Sequence, residues 1–191
     1  MKPQINGPIL VLVRGLPGSG KSYISKILAE KLREKICILD PDSTDYSSDE
    51  YKKMTAQLRA EGVDEKFYPY RFLRAQAYEA IETNKIIVWN QAFTNLDMLK
   101  KTILNLQTYA SEHGKDLKIA VVEVEIDPDL AKKRVKERVS LGGHDVDAET
   151  FTRFIADYKS FEDQDFNLVK VHGEDDADKS ANKIIEFIAS L

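Results

Sequence analysis

The sequence predicts a three-layer α/β/α fold: a five-stranded parallel sheet, helices on both faces, and a helical lid. Three observations predict it. Short apolar, partly β-branched runs alternate along the chain with stretches whose apolar residues recur at helical spacing. The string Gly15-Leu16-Pro17-Gly18-Ser19-Gly20-Lys21-Ser22 fits the phosphate-binding pattern G-x-x-x-x-G-K-[ST], between a strand-like and a helix-like segment. A basic helical segment runs into Gly142-Gly143, the kind of break that a hinged lid requires.

Each element follows from local signals. Ile9–Val13 is apolar enough for a buried strand, and Ile24, Ile27, Leu28 and Leu32 mark the helix after the glycine loop. Ile36–Leu39 is the second strand, with Cys37 as a small core residue, followed by the acidic turn Asp40-Pro41-Asp42-Ser43-Thr44-Asp45. Residues 49–61 read as a helix stopped by Gly62, and residues 66–84 as another, with Pro69 near its start. Ile86–Trp89 is the third strand and ends at Asn90. Thr94 or Asn95 caps a helix that reaches His113 and stops at Gly114. Lys118–Glu125 is the fourth strand. Asp127-Pro128-Asp129 opens the next helix with a cap, a proline and an acid in the first turn. Asp147 caps a helix over 148–161, Phe166–Val171 is the fifth strand, and residues 176–190 form the last helix.

The chain as a whole sets bounds. Its 191 residues suffice for one core, so residues 1–191 are read as a single domain with the lid at about 134–153. It is 42% hydrophobic and 31% charged, with a formal net charge of −4. That charge weighs against a large nucleic-acid footprint. No apolar run approaches a membrane span, and the N-terminal apolar run leads straight into the glycine loop rather than forming a signal peptide. The single cysteine excludes an intrachain disulfide. A cytoplasmic location is expected.

Four groups of residues carry chemistry. In the loop, glycines leave room for phosphate oxygens beside backbone N–H groups, Lys21 reaches the β- and γ-phosphates, and Ser22 offers a hydroxyl to Mg²⁺. Asp40 and Asp42 follow the second strand, on the same rim. One carboxylate there can orient an acceptor hydroxyl and take its proton, and one can support a metal through water. Otherwise the acids only cap a short helix. Arg134 and Arg138 share a helix face and can clamp phosphates, against the alternative of a solvated basic face shared with Lys132, Lys133 and Lys136. His144, in Gly142-Gly143-His144-Asp145-Val146, either contacts phosphate or acceptor or is idle, and Arg153 follows on the next helix. Asn90 stands where many such enzymes carry an acid. It can hydrogen-bond a metal-bound water or the acceptor, which shifts metal support to Ser22 and the Asp40/Asp42 loop.

With these residues assembled, the chain resembles the P-loop kinases of the zeta-toxin group and is similar to their polynucleotide-kinase and gluconate-kinase relatives. The resemblance rests on residues 15–22, on Leu39-Asp40-Pro41-Asp42, and on Arg134, Arg138, Gly142-Gly143-His144-Asp145-Val146 and Arg153. It implies a P-loop NTPase fold and ATP as donor. It also implies Mg²⁺ as cofactor, Asp42 as base, and Lys21, Arg134 and Arg138 as stabilisers of the γ-phosphate. The family departs here at Asn90 and Asp147. Zeta-type toxins phosphorylate UDP-N-acetylglucosamine; the acceptor of this chain, and any antitoxin partner, do not follow from the motifs.

The expected function is therefore ATP-dependent phosphoryl transfer to a hydroxyl of a small or nucleotide-containing acceptor. The competitors are a polynucleotide 5′-hydroxyl kinase and a nucleotide-binding switch. The D-x-x-G and N-K-x-D strings of a GTPase switch are absent from the sequence. Asp49, Tyr51, Tyr68, Tyr70, Arg71 and Arg74, between the second and third strands, are candidates for the acceptor pocket.

Overall fold

The structure, a computed structural model, describes residue 5, residues 7–140 and residues 146–191. Five strands form one parallel sheet: β1 (Ile9–Arg14), β2 (Ile36–Leu39), β3 (Ile86–Asn90), β4 (Lys118–Glu125) and β5 (Leu168–His172). Their spatial order is β2-β3-β1-β4-β5. The helices are α1 (Lys21–Leu32), α2 (Asp49–Ala60), α3 (Tyr68–Glu82), α4 (Leu96–Glu112), α5 (Pro128–Ser140), α6 (Ala148–Asp157) and α7 (Ala177–Ala189).

β1 is central and every residue of it is buried, which is why its sequence is continuously apolar rather than alternating. The pleat still sorts its side chains. Leu10 and Leu12 face a core closed by Leu73 and Ala77 of α3 and by Leu99, Ile103 and Leu106 of α4. Ile9, Val11 and Val13 face the opposite core, closed by Ile24 and Leu28 of α1 and by Ile184 and Ile188 of α7. A third, smaller cluster joins Leu16 of the glycine loop to Ala131 and Val135 of α5 and Phe151 of α6. The helical pair α5/α6 is thus packed on the loop itself.

The predicted boundaries hold closely, with informative exceptions. Of the two candidate caps for α4, Asn95 accepts the Met98 N–H. Asp127 accepts from Asp129 and Leu130, and Asp147 from Thr150, as their sequence contexts predict. Cys37 is half-buried against the core rather than inside it. β5 begins two residues later than expected, pairing Leu168 with Val121. α6 ends at Asp157 instead of 161, because Tyr158 is extended.

That early stop has a tertiary cause. Register places Arg14 beside Glu123 at the ends of β1 and β4. Both side chains are fully buried and ion-paired. The Glu123 carboxylate also accepts the Phe161 N–H at 2.6 Å and the Ser160 hydroxyl at 2.8 Å. The Arg14 guanidinium lies 3.6 Å from the centre of the Phe161 ring and 4.3 Å from that of Tyr158. Satisfying a buried carboxylate outweighs one more helical turn, so residues 158–161 leave the helix to reach it.

Replacing Glu123 by Ala strands the Arg14 charge in the interior, and a loss of about 3–5 kcal/mol in unfolding free energy is expected. Urea denaturation measures it. The Arg14→Met/Glu123→Leu double variant should recover most of the loss, and an unchanged midpoint for Glu123→Ala alone would remove the pair from its structural role.

Candidate active site

The sheet's parallel order delivers the carboxyl ends of β1, β2 and β3 to one rim, the position at which open α/β sheets bind ligands. The glycine loop leaves β1 there. Gly18 has a φ of +84°, and a Cβ on it would stand 2.3 Å from the Ala131 carbonyl oxygen, so only glycine fits against α5. α1 then starts at Gly20 with no side-chain cap and no acid in its first turn. By contrast, side chains of Ser48, Asn95, Asp147 and Asp176 cap α2, α4, α6 and α7. The first amides of α1 are left for an anion.

Register explains the cluster below the loop. Leu39 pairs with Trp89, so the next residues along the two strands, Asp40 and Asn90, meet across the rim. The Asn90 amide donates to Asp40 Oδ2 at 2.7 Å and to Ser22 Oγ at 3.0 Å. Ser22 Oγ donates to the same Asp40 oxygen at 3.1 Å. The other Asp40 oxygen accepts the Asp42 N–H at 3.0 Å, and the Asp40 carbonyl accepts the Thr44 hydroxyl at 2.7 Å. Asp40 is 7% exposed, whereas Asp42 is exposed to the cleft.

Lys21 folds back onto the loop, donating to the carbonyls of Gly15 at 2.8 Å and Leu16 at 2.9 Å. Burial lowers its pKa to about 8, against the attraction of Asp40 and Asp42 and with added repulsion from Arg138. Arg134 donates to the Gly173 carbonyl at 2.8 Å, tying α5 to the turn after β5. Around these groups lies a cleft of about 920 Å³, lined by the loop, Asp40, Asp42, Asn90, Arg134, Arg138 and residues from α3, α4 and α6.

The sequence profile of the AAA domain family matches residues 10–161. The chain belongs to that family. No curated protein matches it significantly. Its fold is similar to that of a gluconokinase from Sinorhizobium meliloti 1021, at 15% identity and a TM-score of 0.59 over 98% of this chain and 94% of that one. Kti12 from Chaetomium thermophilum in complex with ADP-AlF3 is similar at 15% identity and 0.58, over 94% of this chain and 98% of that one. The APS kinase of Mycobacterium tuberculosis in complex with AMPPNP and APS gives 16% and 0.53, over 97% and 99%. At these identities the likeness is one of fold.

This AAA domain gathers most of the residues singled out in the sequence. Pro17, Gly18, Gly20, Lys21, Ser22, Asp40, Asp42, Asn90, Arg134 and Arg138 all line the cleft. Gly15 and Leu16 meet Lys21 through their carbonyls, and Ser19 is fully buried in the loop. Arg71 and Arg153 do not line the cleft; both are exposed, and Tyr70, Thr150 and Phe154 of the same helices face it instead. Of the other candidates between β2 and β3, Tyr68 is buried in the core. Gly142, Gly143, His144 and Asp145 lie outside the described residues. Among the described residues, no helix is long and apolar enough to cross a membrane.

Sequence reasoning missed Gly173 and Phe93. A Cβ on Gly173 would lie 2.1 Å from the Ser19 carbonyl oxygen, so glycine alone lets the turn after β5 close on the loop. A glycine directly beyond a strand's carboxyl end was a readable signal. Phe93 has φ +46° and is buried at the mouth of the cleft, and nothing local in its sequence announces that.

The Lys21 shift has a direct consequence for stability. Its folded-state value, about 8, lies below the ordinary 10.5. Between those values the unfolded chain holds more protons than the folded one, so stability should rise with pH across that window. Comparing urea unfolding of the parent and Lys21→Met on both sides of it isolates this term, and the variant should lack the rise. A polyphosphate bound beside Lys21 should restore its proton, so calorimetric titration of ATP above pH 8 should show proton uptake that Lys21→Met abolishes.

Proposed function

We propose that this protein is an ATP-dependent kinase that transfers the γ-phosphate to a hydroxyl group, as the resemblance to the zeta-toxin group implies. One arrangement carries the reading: Ser22, Asp40 and Asn90 interlock at the foot of the phosphate loop, while Asp42 stands exposed in the same cleft as Lys21, Arg134 and Arg138. A phosphate site, a metal site and a free carboxylate in one cleft are what phosphoryl transfer to an alcohol needs.

Each residue then has a role. The loop amides and the N-terminus of α1 hold the triphosphate. Lys21 leaves its carbonyl partners for the β- and γ-phosphates. Arg138 adds positive charge where the transferring phosphoryl group develops its own. Arg134 keeps α5 fixed to the Gly173 carbonyl and so sets where Arg138 stands, one turn along the same face. Asp42 is the base: its backbone N–H is pinned by Asp40, which leaves its carboxylate free to accept the acceptor's proton. The α5/α6 pair, which overlaps the lid read at 134–153, shields the phosphates from water.

The residues fit Mg²⁺. Neighbouring ligands of an octahedral ion with bonds of roughly 2.1 Å lie about 3 Å apart. The Ser22 Oγ to Asp40 Oδ2 separation of 3.1 Å matches such an edge, and Asn90 Oδ1 is buried without a partner among the described residues, available to a water on the ion. Among the described residues no cluster of three or more His, Cys, Asp or Glu is suited to a metal, so phosphates and water would complete the shell. Bound there, the ion would neutralise phosphate charge. A cytosolic setting suits both ATP supply and the unpaired Cys37.

Asp42→Asn keeps shape and removes basicity. ATP affinity, by calorimetry, should change little, while transfer should fall roughly 10²-fold or more, the size of a general-base contribution. ATP binding lost together with transfer would make Asp42 a metal-site residue instead. Arg138→Ala should lower mainly kcat, by about 10² to 10⁵, the range for an arginine that stabilises the transferring group. Transfer at the parental rate would remove Asp42 as base in the first variant, leaving Asp40 as the next suspect, and would return Arg138 to a merely solvated basic face in the second.

A further inference from the structure

The cleft is divided by charge. The cations of its described lining, Lys21, Arg134 and Arg138, all belong to the phosphate loop and α5. The rest of the described lining, from the end of β3 through the start of α4, with Tyr70 of α3 and Phe154 of α6 opposite, contains no lysine or arginine. The charged groups on that side are carboxylates. Asp42 is the proposed base, and Asp147 caps α6. The nearest basic residues are turned to other tasks. Arg71 and Arg153 are exposed and do not line the cleft. The Arg74 guanidinium lies over the rings of Tyr70 and Tyr78, at 5.6 and 5.8 Å from their centres. An acceptor bearing phosphate or carboxylate would meet like charge there, with no lysine or arginine in the described lining of that half to offset its lost hydration.

The same wall carries apolar and aromatic side chains. Met98 is 59% exposed, and Tyr23, at the opposite side of the mouth, is 62% exposed. The Tyr70 ring is tilted by 35° against Trp89, 5.8 Å away, with the Arg74 guanidinium 5.6 Å from its centre. Phe93, 8% exposed and part of the core behind this wall, has a backbone conformation that a phenylalanine rarely adopts. Exposed apolar side chains gathered in a concave site mark a ligand surface. The polar groups among them are neutral: the Gln91 amide is exposed, has no side-chain hydrogen bond among the described residues, and is able to both donate and accept. The cleft's 920 Å³ lies near the top of the usual range of roughly 300–1,000 Å³ for small-molecule sites, which suits a nucleotide and a second ligand together.

We propose that the acceptor is an uncharged, ring-bearing hydroxyl compound of nucleoside or neutral-glycoside size. Its flat face packs on Tyr70 and Met98, its polar edge meets Gln91, and one hydroxyl points at Asp42. This rests on the kinase reading above. In the transfer, the acceptor oxygen bonds to the γ-phosphorus, the bond from that phosphorus to the β–γ bridging oxygen breaks, and ADP leaves with that oxygen. The hydroxyl proton passes to the Asp42 carboxylate and then to solvent. Sugar acids, nucleotide sugars and 5′-hydroxyl oligonucleotides are excluded as preferred acceptors by their charge, and free sugars by the lack of an apolar face.

Transfer from radiolabelled ATP is measured with adenosine and uridine, with phenyl β-glucoside, and with charged or faceless counterparts: adenosine 3′-monophosphate, UDP-N-acetylglucosamine, gluconate, a 5′-hydroxyl oligonucleotide and glucose. The nucleosides or the phenyl glucoside should exceed every counterpart in kcat/KM by roughly 10²-fold, and which of the two does so names the source of the ring. Tyr70→Ala should raise the KM of the preferred compound at least tenfold with ATP affinity unchanged. Met98→Lys, at an exposed position, should reduce the preference for adenosine over its 3′-monophosphate at least tenfold. Preference for an anionic acceptor in the parent overturns the acceptor class and leaves the kinase reading standing. Hydrolysis of ATP with no transfer to any of these compounds overturns both.

Discussion

Three separate parts of the chain meet at the Asp40 carboxylate, and the working geometry of this AAA domain depends on that meeting. One oxygen receives the Ser22 hydroxyl from the first turn of α1 and the Asn90 amide from the end of β3; the other receives the backbone of Asp42. A carboxylate almost wholly removed from water must find such donors or lose its charge. Here the donors it finds are the groups a phosphate site requires. The requirement to satisfy one buried acid therefore fixes α1 relative to β2 and β3, and holds Asp42 at the lip of the cleft.

Close backbone approach does the rest of the positioning. The loop is clasped by α5 at Gly18 and by the turn after β5 at Gly173, and at both places an added methyl would collide with a carbonyl oxygen. Arg134 spans the same gap from α5 to Gly173. The buried Arg14–Glu123 pair, immediately before the loop, anchors the chain that leaves α6. The loop is thereby held from three sides by contacts that involve no ligand. Such preorganisation lets a charged substrate be bound without rebuilding the site.

The division of charge in the cleft follows from the same architecture. α5 packs on the loop through Ala131 and Val135, so the arginines it carries are brought to the phosphate side. The opposite wall grows out of the apolar core formed by α3 and α4, and its aromatic residues are the rim of that core: Tyr70 rests on Trp89 and Phe93 belongs to the cluster itself. A half that carries the cations and a half whose described lining has no lysine or arginine is the natural result of placing a polar loop beside a hydrophobic layer.

Much of this was legible in the sequence, and the reason is locality. The order of strands and helices, the caps at Asn95, Asp127 and Asp147, and the phosphate loop each depend on a few neighbouring residues, so spacing and residue type suffice to read them. The rim on which Asp40, Asp42 and Asn90 gather was also readable, because parallel strands put their carboxyl ends together. What the sequence could not determine was long-range. It offered Arg71 and Arg153 for the site, but helical phase relative to the core turns Tyr70 and Phe154 inward instead. It carried α6 to residue 161, but a buried carboxylate on a strand 38 residues away draws Phe161 out of the helix. The contact between Gly173 and Ser19, the buried partner of Arg14 and the inward turn of Phe93 were likewise decided only by tertiary structure. In each case the deciding force is a desolvated charge or a steric limit, and its other half lies far away in the chain.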